Sequence, residues 1–141
     1  MQNKFELGSL IIRVVLGITF FVHGLVKFQD GIENTVGWFD SIGLPGVLAY
    51  GVAGIELVGG IMLVLGLFSR IVSILFAIVM VGAIIKVKLA IGFLGNGQMA
   101  GYELDLAFLA MAVMLAITGS KAFALDQLIS KGKENTTTSI N

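Results

Sequence analysis

The sequence predicts an all-α membrane protein, a four-transmembrane-helix antiparallel bundle. Three observations predict it. Of 141 residues, 57% are hydrophobic and only 13% charged, against roughly 25% charged in soluble domains; the mean hydropathy is +0.99. Four apolar segments each reach the roughly 20 residues that cross a bilayer. A single proline leaves those segments unbroken. The length allows one domain, and a net charge of zero gives no footprint for nucleic acid. The chain has no cysteine, which excludes disulfides, thiolate catalysis and cysteine-held clusters on this chain. Its one histidine argues against a multi-histidine metal or haem site within one subunit. No metal site and no covalently bound cofactor are therefore expected.

The first segment covers residues 7–28. It exceeds the ~7–15 residues of a signal-peptide core, contains Arg13, and lacks a clear small-x-small cleavage site, so a retained helix is expected. The link over residues 29–46 carries Asp30, Glu33 and Asp40 without a basic residue. Its Trp38 and Phe39 suit a membrane–water interface. Gly43-Leu-Pro-Gly46 reads as a turn that starts the second helix, residues 47–68. Little more than Ser69-Arg70 separates the second helix from the third, residues 70–93, so these two are antiparallel neighbours. A glycine-rich loop leads to the fourth helix, residues 103–121. Residues 1–126 thus form the transmembrane domain, and residues 127–141 a polar tail expected to be disordered. Lys4, Arg70, Lys121, Lys131 and Lys133 fall on one side, against Lys27, Lys86 and Lys88 at helix ends on the other. The positive-inside rule then puts both termini in the cytoplasm.

Within these segments lies a costly polar set. Glu56 sits amid about twenty apolar residues, where a charge costs at least ~2.5–3.5 kcal/mol. On the first helix Arg13, Gly17, Phe20, Gly24 and Lys27 fall within about 40° of one line, with His23 at the edge of that face. Such groups turn toward a bundle interior. Glu56 is expected to pair with Arg13, because buried carboxylates survive as halves of hydrogen-bonded ion pairs; His23 is expected above it. Lys86, Lys88, Glu103 and Asp105 join His23 and Lys27 in an outer rim of opposite charges. Together they describe a polar pocket open to the outer side. The plainer reading is an Arg13–Glu56 lock that fixes helix register, with lysines that snorkel and acidic groups that cap a helix.

Four stretches carry a family resemblance: Arg13-Val-Val-Leu-Gly17 through Phe20-Phe-Val-His-Gly24-Leu-Val-Lys27-Phe28; Gly43-Leu-Pro-Gly46; Gly54-Ile-Glu56-Leu-Val-Gly-Gly60 continuing to Leu65-Gly-Leu-Phe-Ser-Arg70; and Gly119-Ser-Lys-Ala-Phe-Ala-Leu-Asp126. In this order they resemble the DoxX/DoxD-like family of small membrane proteins over about residues 7–126. The last stretch departs from the family's Gly-Pro-Gly-x-x-Ser-Leu-Asp ending, with Ser120 and Ala124 in place of proline and serine. The resemblance implies a four-helix bundle in a bacterial plasma membrane. It further implies quinone-linked redox chemistry, as in thiosulfate:quinone oxidoreductase, thiol or oxidative stress complexes, or quinone and catechol detoxification.

Two functions follow as expectations. In the first, the chain is a component of quinone-linked oxidoreduction, with menaquinone or ubiquinone. Glu56 and His23 serve as acid–base groups and Arg13 or Lys27 stabilises an oxyanion. Phe20 helps line the slot, and Lys27, Lys86, Glu103 and Asp105 form the recognition rim. Lacking its own electron carrier, the chain then works beside a redox partner protein. In the second, it is a non-enzymatic module that binds an amphiphile or scaffolds a membrane complex. Membrane lipid is a partner in either case, and helix glycines leave a homo-oligomer open.

Overall fold

The computed structural model describes residues 2–130. Residues 131–141, most of the expected polar tail, lie outside the described residues; residues 127–130 belong to a helical segment over 125–130. Among the described residues the regular structure is helical: α1 (Gln2–Gln29), α2 (Ile32–Ser41), α3 (Val47–Leu65), α4 (Ser69–Ala83) and α5 (Glu103–Thr118), with one π-helical turn, Ile84–Lys88, extending α4. Three helices are long and apolar enough to cross a membrane by length and composition: residues 3–29, 47–65 and 69–88. The fourth expected span, α5, has 16 residues, about 24 Å of helix at 1.5 Å per residue.

α1 and α3 pack with their backbones nearly touching. A Cβ on Gly24 would lie 2.5 Å from the Leu57 backbone nitrogen, and one on Gly60 2.5 Å from that of Phe21. Only glycine permits this approach, as small residues do between membrane helices. α3 ends at Gly66, whose left-handed backbone (φ 72°) is one that L side chains rarely adopt. The Leu67 N–H then returns to the Met62 carbonyl at 2.8 Å, a Schellman closure. That sharp stop folds α4 back along α3. α5 packs along α4, completing the set of helices around the core. Leu16 and Phe20 of α1, Leu63 of α3, Val72, Phe76 and Met80 of α4, and Ala112 and Leu115 of α5 form that core. Phe20 stacks on Phe76, with ring centroids 3.9 Å apart.

The outside is apolar and the inside holds charges. Ile18, Val22, Ile78 and Ile117 are exposed, whereas Arg13, Glu56 and Asp105 are buried. Helices with this inverted pattern require lipid around them.

Two stretches of secondary structure differ from the layout expected from the sequence. Residues 29–46 are not simply a link. Gly31 (φ 92°) breaks α1, and α2 follows with Phe39 buried. Asp40 of α2 accepts the Gly46 N–H at 2.8 Å, tying α2 to the start of α3. Ile32, Val36 and Phe39 stand at i, i+4 and i+7, the apolar spacing of a one-sided helix. The third helix also ends near Lys88 rather than at 93. The π-helical turn closes with the Leu89 N–H on the Ile84 carbonyl at 2.7 Å, and a turn follows.

Candidate functional site

The bundle has two ends. At the base lie the start of α1, the α3–α4 turn and the segment after α5; at the top lie α2, the π-helical turn and the start of α5. Each end handles buried charge differently.

Near the top, Lys27 Nζ donates to Glu56 Oε2 at 2.5 Å. The Glu56 side chain is 5% exposed and that of Lys27 24%. Lys27 therefore reaches from a partly open position to a carboxylate at the middle of α3. A second pair has the same form. Lys88, on the π-helical turn, donates to Asp105 Oδ2 at 2.5 Å. That wider turn slows the helix's rotation and leaves Lys88 on the side facing α5. Each pair joins two helices, α1 to α3 and α4 to α5.

At the base, Arg13 is 1% exposed and, among the described residues, meets no carboxylate within salt-bridge distance. Its Nη1 donates to the Ser120 carbonyl and hydroxyl at 3.2 and 3.3 Å, and its Nη2 to the Phe123 carbonyl at 3.3 Å. Glu6 accepts the N–H groups of Lys121 and Ala122 at 3.0 and 3.1 Å, and Asp126 that of Phe68 at 2.8 Å. The segment 119–126 is thus strapped across the base from two elements, α1 through Glu6 and Arg13 and the α3–α4 turn through Phe68.

This geometry corrects the expected Arg13–Glu56 pair. Gly24 of α1 faces Ala53 and Leu57, and Gly17 faces Gly60 and Val64. In that register Glu56 stands level with about residue 23 of α1. Arg13 is ten residues lower, about 15 Å along the axis, which even an arginine does not span when its guanidinium is bound below. Lys27 is only one turn above the carboxylate. Nor do Arg13, Glu56 and His23 share one pocket. His23 is exposed, and its Nδ1 bonds the Thr19 carbonyl of its own helix at 3.0 Å. It directly precedes Gly24, so its side chain points about 100° away from the ridge that meets α3. Phe20 lies in the core, 2% exposed, stacked on Phe76 and tilted against Phe108 at 6.2 Å. Lys86 and Glu103 are exposed at the top, and Asp105 is held by Lys88. Lys88 as the partner of Asp105, and Phe76 as the partner of Phe20, are additions of the structure. The signal for Phe76 was present: Ser69, Val72, Ser73, Phe76 and Met80 recur at helical spacing.

Two surface grooves are wholly apolar. One lies between α3 and α4, lined by residues that include Ile55, Val58, Met62 and Ile71. The other lies between α4 and α5, lined by residues that include Ile78, Val81, Leu109 and Val113.

With the fold and these pairs in view, comparison with known proteins becomes specific. The DoxX family model matches residues 8–89, which hold most of α1, all of α2, α3 and α4, and the Lys27–Glu56 pair. The chain belongs to the DoxX family. It is 50% identical over 135 residues to a Bacillus subtilis (strain 168) protein named "Putative oxidoreductase CatD", covering 96% of each chain. It is 32% identical over 134 residues to "Uncharacterized membrane protein Rv3486" of Mycobacterium tuberculosis, covering 86% of this chain and 81% of the relative. It is 26% identical over 137 residues to "Inner membrane protein YqjF" of Escherichia coli (strain K12), covering 93% of this chain and 98% of the relative. No solved structure matches the chain. As a DoxX protein with apolar spans, the chain is a bacterial membrane protein. Its glycine-rich α1–α3 contact and its Lys27–Glu56 pair both fall within the matched region.

Proposed function

We propose that this DoxX protein is a component of quinone-linked oxidoreduction in the bacterial plasma membrane. One observation carries the reading. A lysine–carboxylate pair lies inside a membrane bundle one helical turn from a stacked aromatic pair: Glu56 is three residues from Gly59, where a Cβ would touch the Phe76 ring at 3.0 Å. The name of the Bacillus subtilis relative supports a redox role.

A quinone head needs apolar walls, hydrogen-bond donors at its oxygens and a source of protons, and the residues here fit those needs. Bound near the pair, a menaquinone or ubiquinone supplies the two-electron acceptor. Lys27 Nζ would donate to an oxygen of such a head, and its charge would favour negative charge developing there. Glu56, released from Lys27, is an acid–base group shielded from water. The apolar grooves suit an isoprenoid tail. Electrons come from a separate redox partner, since the chain has no cysteine to relay them. His23 and Arg13 are not assigned to this step: the first faces outward and the second is bound at the base. Lys86 and Glu103 remain an outer recognition rim. In this reading α5 is a fourth span and both termini lie in the cytoplasm, with Arg70 and Lys121 at the base on the cytoplasmic side.

The second reading is a non-enzymatic module that binds an amphiphile or assembles a complex. It is favoured by the way both lysine–carboxylate pairs join helix to helix, as structural ties do.

Membranes carrying the protein and its redox partner, supplied with menaquinone, separate the two. Glu56→Gln is expected to lower quinone reduction at least tenfold, within the range of general acid–base contributions, while the bundle stays folded by circular dichroism. Full turnover in the folded Glu56→Gln variant rules out the acid–base role and leaves the scaffold reading.

A further inference from the structure

The base of the bundle carries two phenylalanines that the proposed redox site does not use. Phe68, in the α3–α4 turn, and Phe123, after α5, each hold a left-handed backbone with φ 48°. Glycine adopts that conformation freely, and a bulky side chain rarely does. Among the described residues they are the only positive-φ positions other than glycines. Neither ring offsets the strain by packing within the chain: Phe68 is 58% exposed and Phe123 91%. A turn with no other task would be better served by glycine at both positions.

The backbone around both rings is fixed. The Phe68 N–H donates to Asp126 Oδ2 at 2.8 Å, and the Phe123 carbonyl accepts from Arg13 Nη2 at 3.3 Å. Ser120 and Ala124 are buried, and a Cβ on Gly66 would lie 2.6 Å from the Ala124 Cα. One face of the 119–126 segment is therefore held against the bundle, and Phe123 is turned out from it. The helical segment over 125–130 continues the outer face with Leu128 and Ile129, 66% and 55% exposed. Position along the bundle decides what covers these side chains. Phe68 lies between the end of α3 at Leu65 and the start of α4 at Ser69, and Phe123 follows the end of α5 at Thr118. The rings thus stand where the apolar helices end and a bilayer gives way to water. Among the described residues, this end holds Lys4, Arg13, Arg70 and Lys121 against Glu6 and Asp126. The two carboxylates bind backbone N–H groups, whereas Lys4, Arg70 and Lys121 are exposed, so the outward charge is positive.

We propose that Phe68, Phe123 and the outer face of residues 125–130 form an anchor that seats the base of the bundle in the headgroup boundary of one leaflet, with Lys4 and Lys121 meeting the phosphates of anionic phospholipids. Aromatic rings at that depth fix the height and tilt of a membrane protein, and lysines near an anionic surface add attraction. The strained turns keep the rings outward while their backbone stays bound to the bundle. The anchor is separate from the Lys27–Glu56 pair and independent of the redox reading.

The test uses the full chain with Trp38→Phe, which removes the one tryptophan, and adds a fluorescent probe as Phe123→Trp or, separately, Phe68→Trp. In liposomes of phosphatidylcholine and phosphatidylglycerol, each probe is expected to be quenched more by lipids brominated near the headgroup end of the chain than by lipids brominated near its terminus. Iodide on both sides of the membrane is expected to quench little. Bromine carried by phosphatidylglycerol is expected to quench the probe at 123 at least about twofold more than the same amount carried by phosphatidylcholine, a preference that Lys4→Gln with Lys121→Gln abolishes. Quenching by iodide but not by brominated lipid overturns the proposal and puts the segment in water. Protection from both quenchers overturns it and puts a protein surface over the rings. Quenching that does not distinguish the two lipids also overturns it, because the lysines then select no headgroup.

Discussion

The base and the top of this bundle bury charge by opposite means. At the base, the Arg13 guanidinium binds the backbone carbonyls of Ser120 and Phe123 and the Ser120 hydroxyl, and is 1% exposed. At the top, Glu56 binds a full opposite charge, Lys27, whose side chain keeps 24% of its surface open. Backbone carbonyls do not titrate near neutral pH, so the Arg13 contacts hold chain segments together rather than move protons. A lysine–carboxylate pair can open, trade partners and move a proton. In one small membrane protein, the same kind of sequence signal, an ionisable residue inside an apolar segment, therefore resolves into a guanidinium on backbone carbonyls at one end and a lysine–carboxylate ion pair at the other.

The largest effect should come from breaking the guanidinium contacts. Arg13→Leu strands two carbonyls, releases the 119–126 segment from α1, and removes several charge-assisted hydrogen bonds, each of which contributes roughly 1.5–3 kcal/mol. A loss of about 3 kcal/mol or more is expected, read as a fall in thermal midpoint on the order of 10 °C in detergent. It should be accompanied by faster proteolysis near Phe123, which is 91% exposed and held by its carbonyl to Arg13. If the midpoint hardly moves, the base is not held in this way and the contrast between the two ends fails.

The pair at the top should respond less, and unevenly. In Glu56→Gln the freed ammonium of Lys27 swings to the open side, and the cost is about 1 kcal/mol. In Lys27→Met the carboxylate of Glu56, 5% exposed on its side chain, is left without its cation, and the cost rises to roughly 3 kcal/mol. The double variant Lys27→Met with Glu56→Met should recover most of that loss, because apolar replacements for a buried pair are often neutral. Equal losses in the two single variants, measured as thermal midpoints, would contradict the asymmetric burial on which the proposed proton role depends.

Much of this contrast was legible in the sequence, and the reason for the rest is physical. Composition and run length show the membrane helices, and the ionisable residues show which faces turn inward. The glycines at 17, 24 and 60 are visible as well, but their consequence is not. They set the α1–α3 register, and that register decides whether Glu56 meets Arg13 or Lys27. A shift of a few residues along two touching backbones changes the partner, and a count of turns from uncertain helix ends does not resolve it. Ser120 and Phe123 are unreadable as Arg13's partners for a different reason: the acceptors are mostly backbone carbonyls, which every residue has. α2 was within reach, since Ile32, Val36 and Phe39 carry its buried face; acidic residues and interfacial aromatics around them made the segment resemble a link.

The smallest effect concerns the residue type most often associated with proton transfer. His23 lies on α1 between the two halves of the contrast, and its chemistry alone would make it a candidate. Its position argues otherwise. The ring is exposed, bonds the Thr19 carbonyl one turn back at 3.0 Å, and points away from α3. His23→Ala removes one exposed side-chain bond and should shift stability by no more than about 0.5 kcal/mol. Quinone reduction in partner-containing membranes should stay within about twofold of wild type, well short of the loss expected when a general acid–base group is removed. A large loss of turnover in a stable His23→Ala protein would move the proton-handling site from the interior pair to the lipid-facing side of α1, and Glu56 with Lys27 would then only tie α1 to α3.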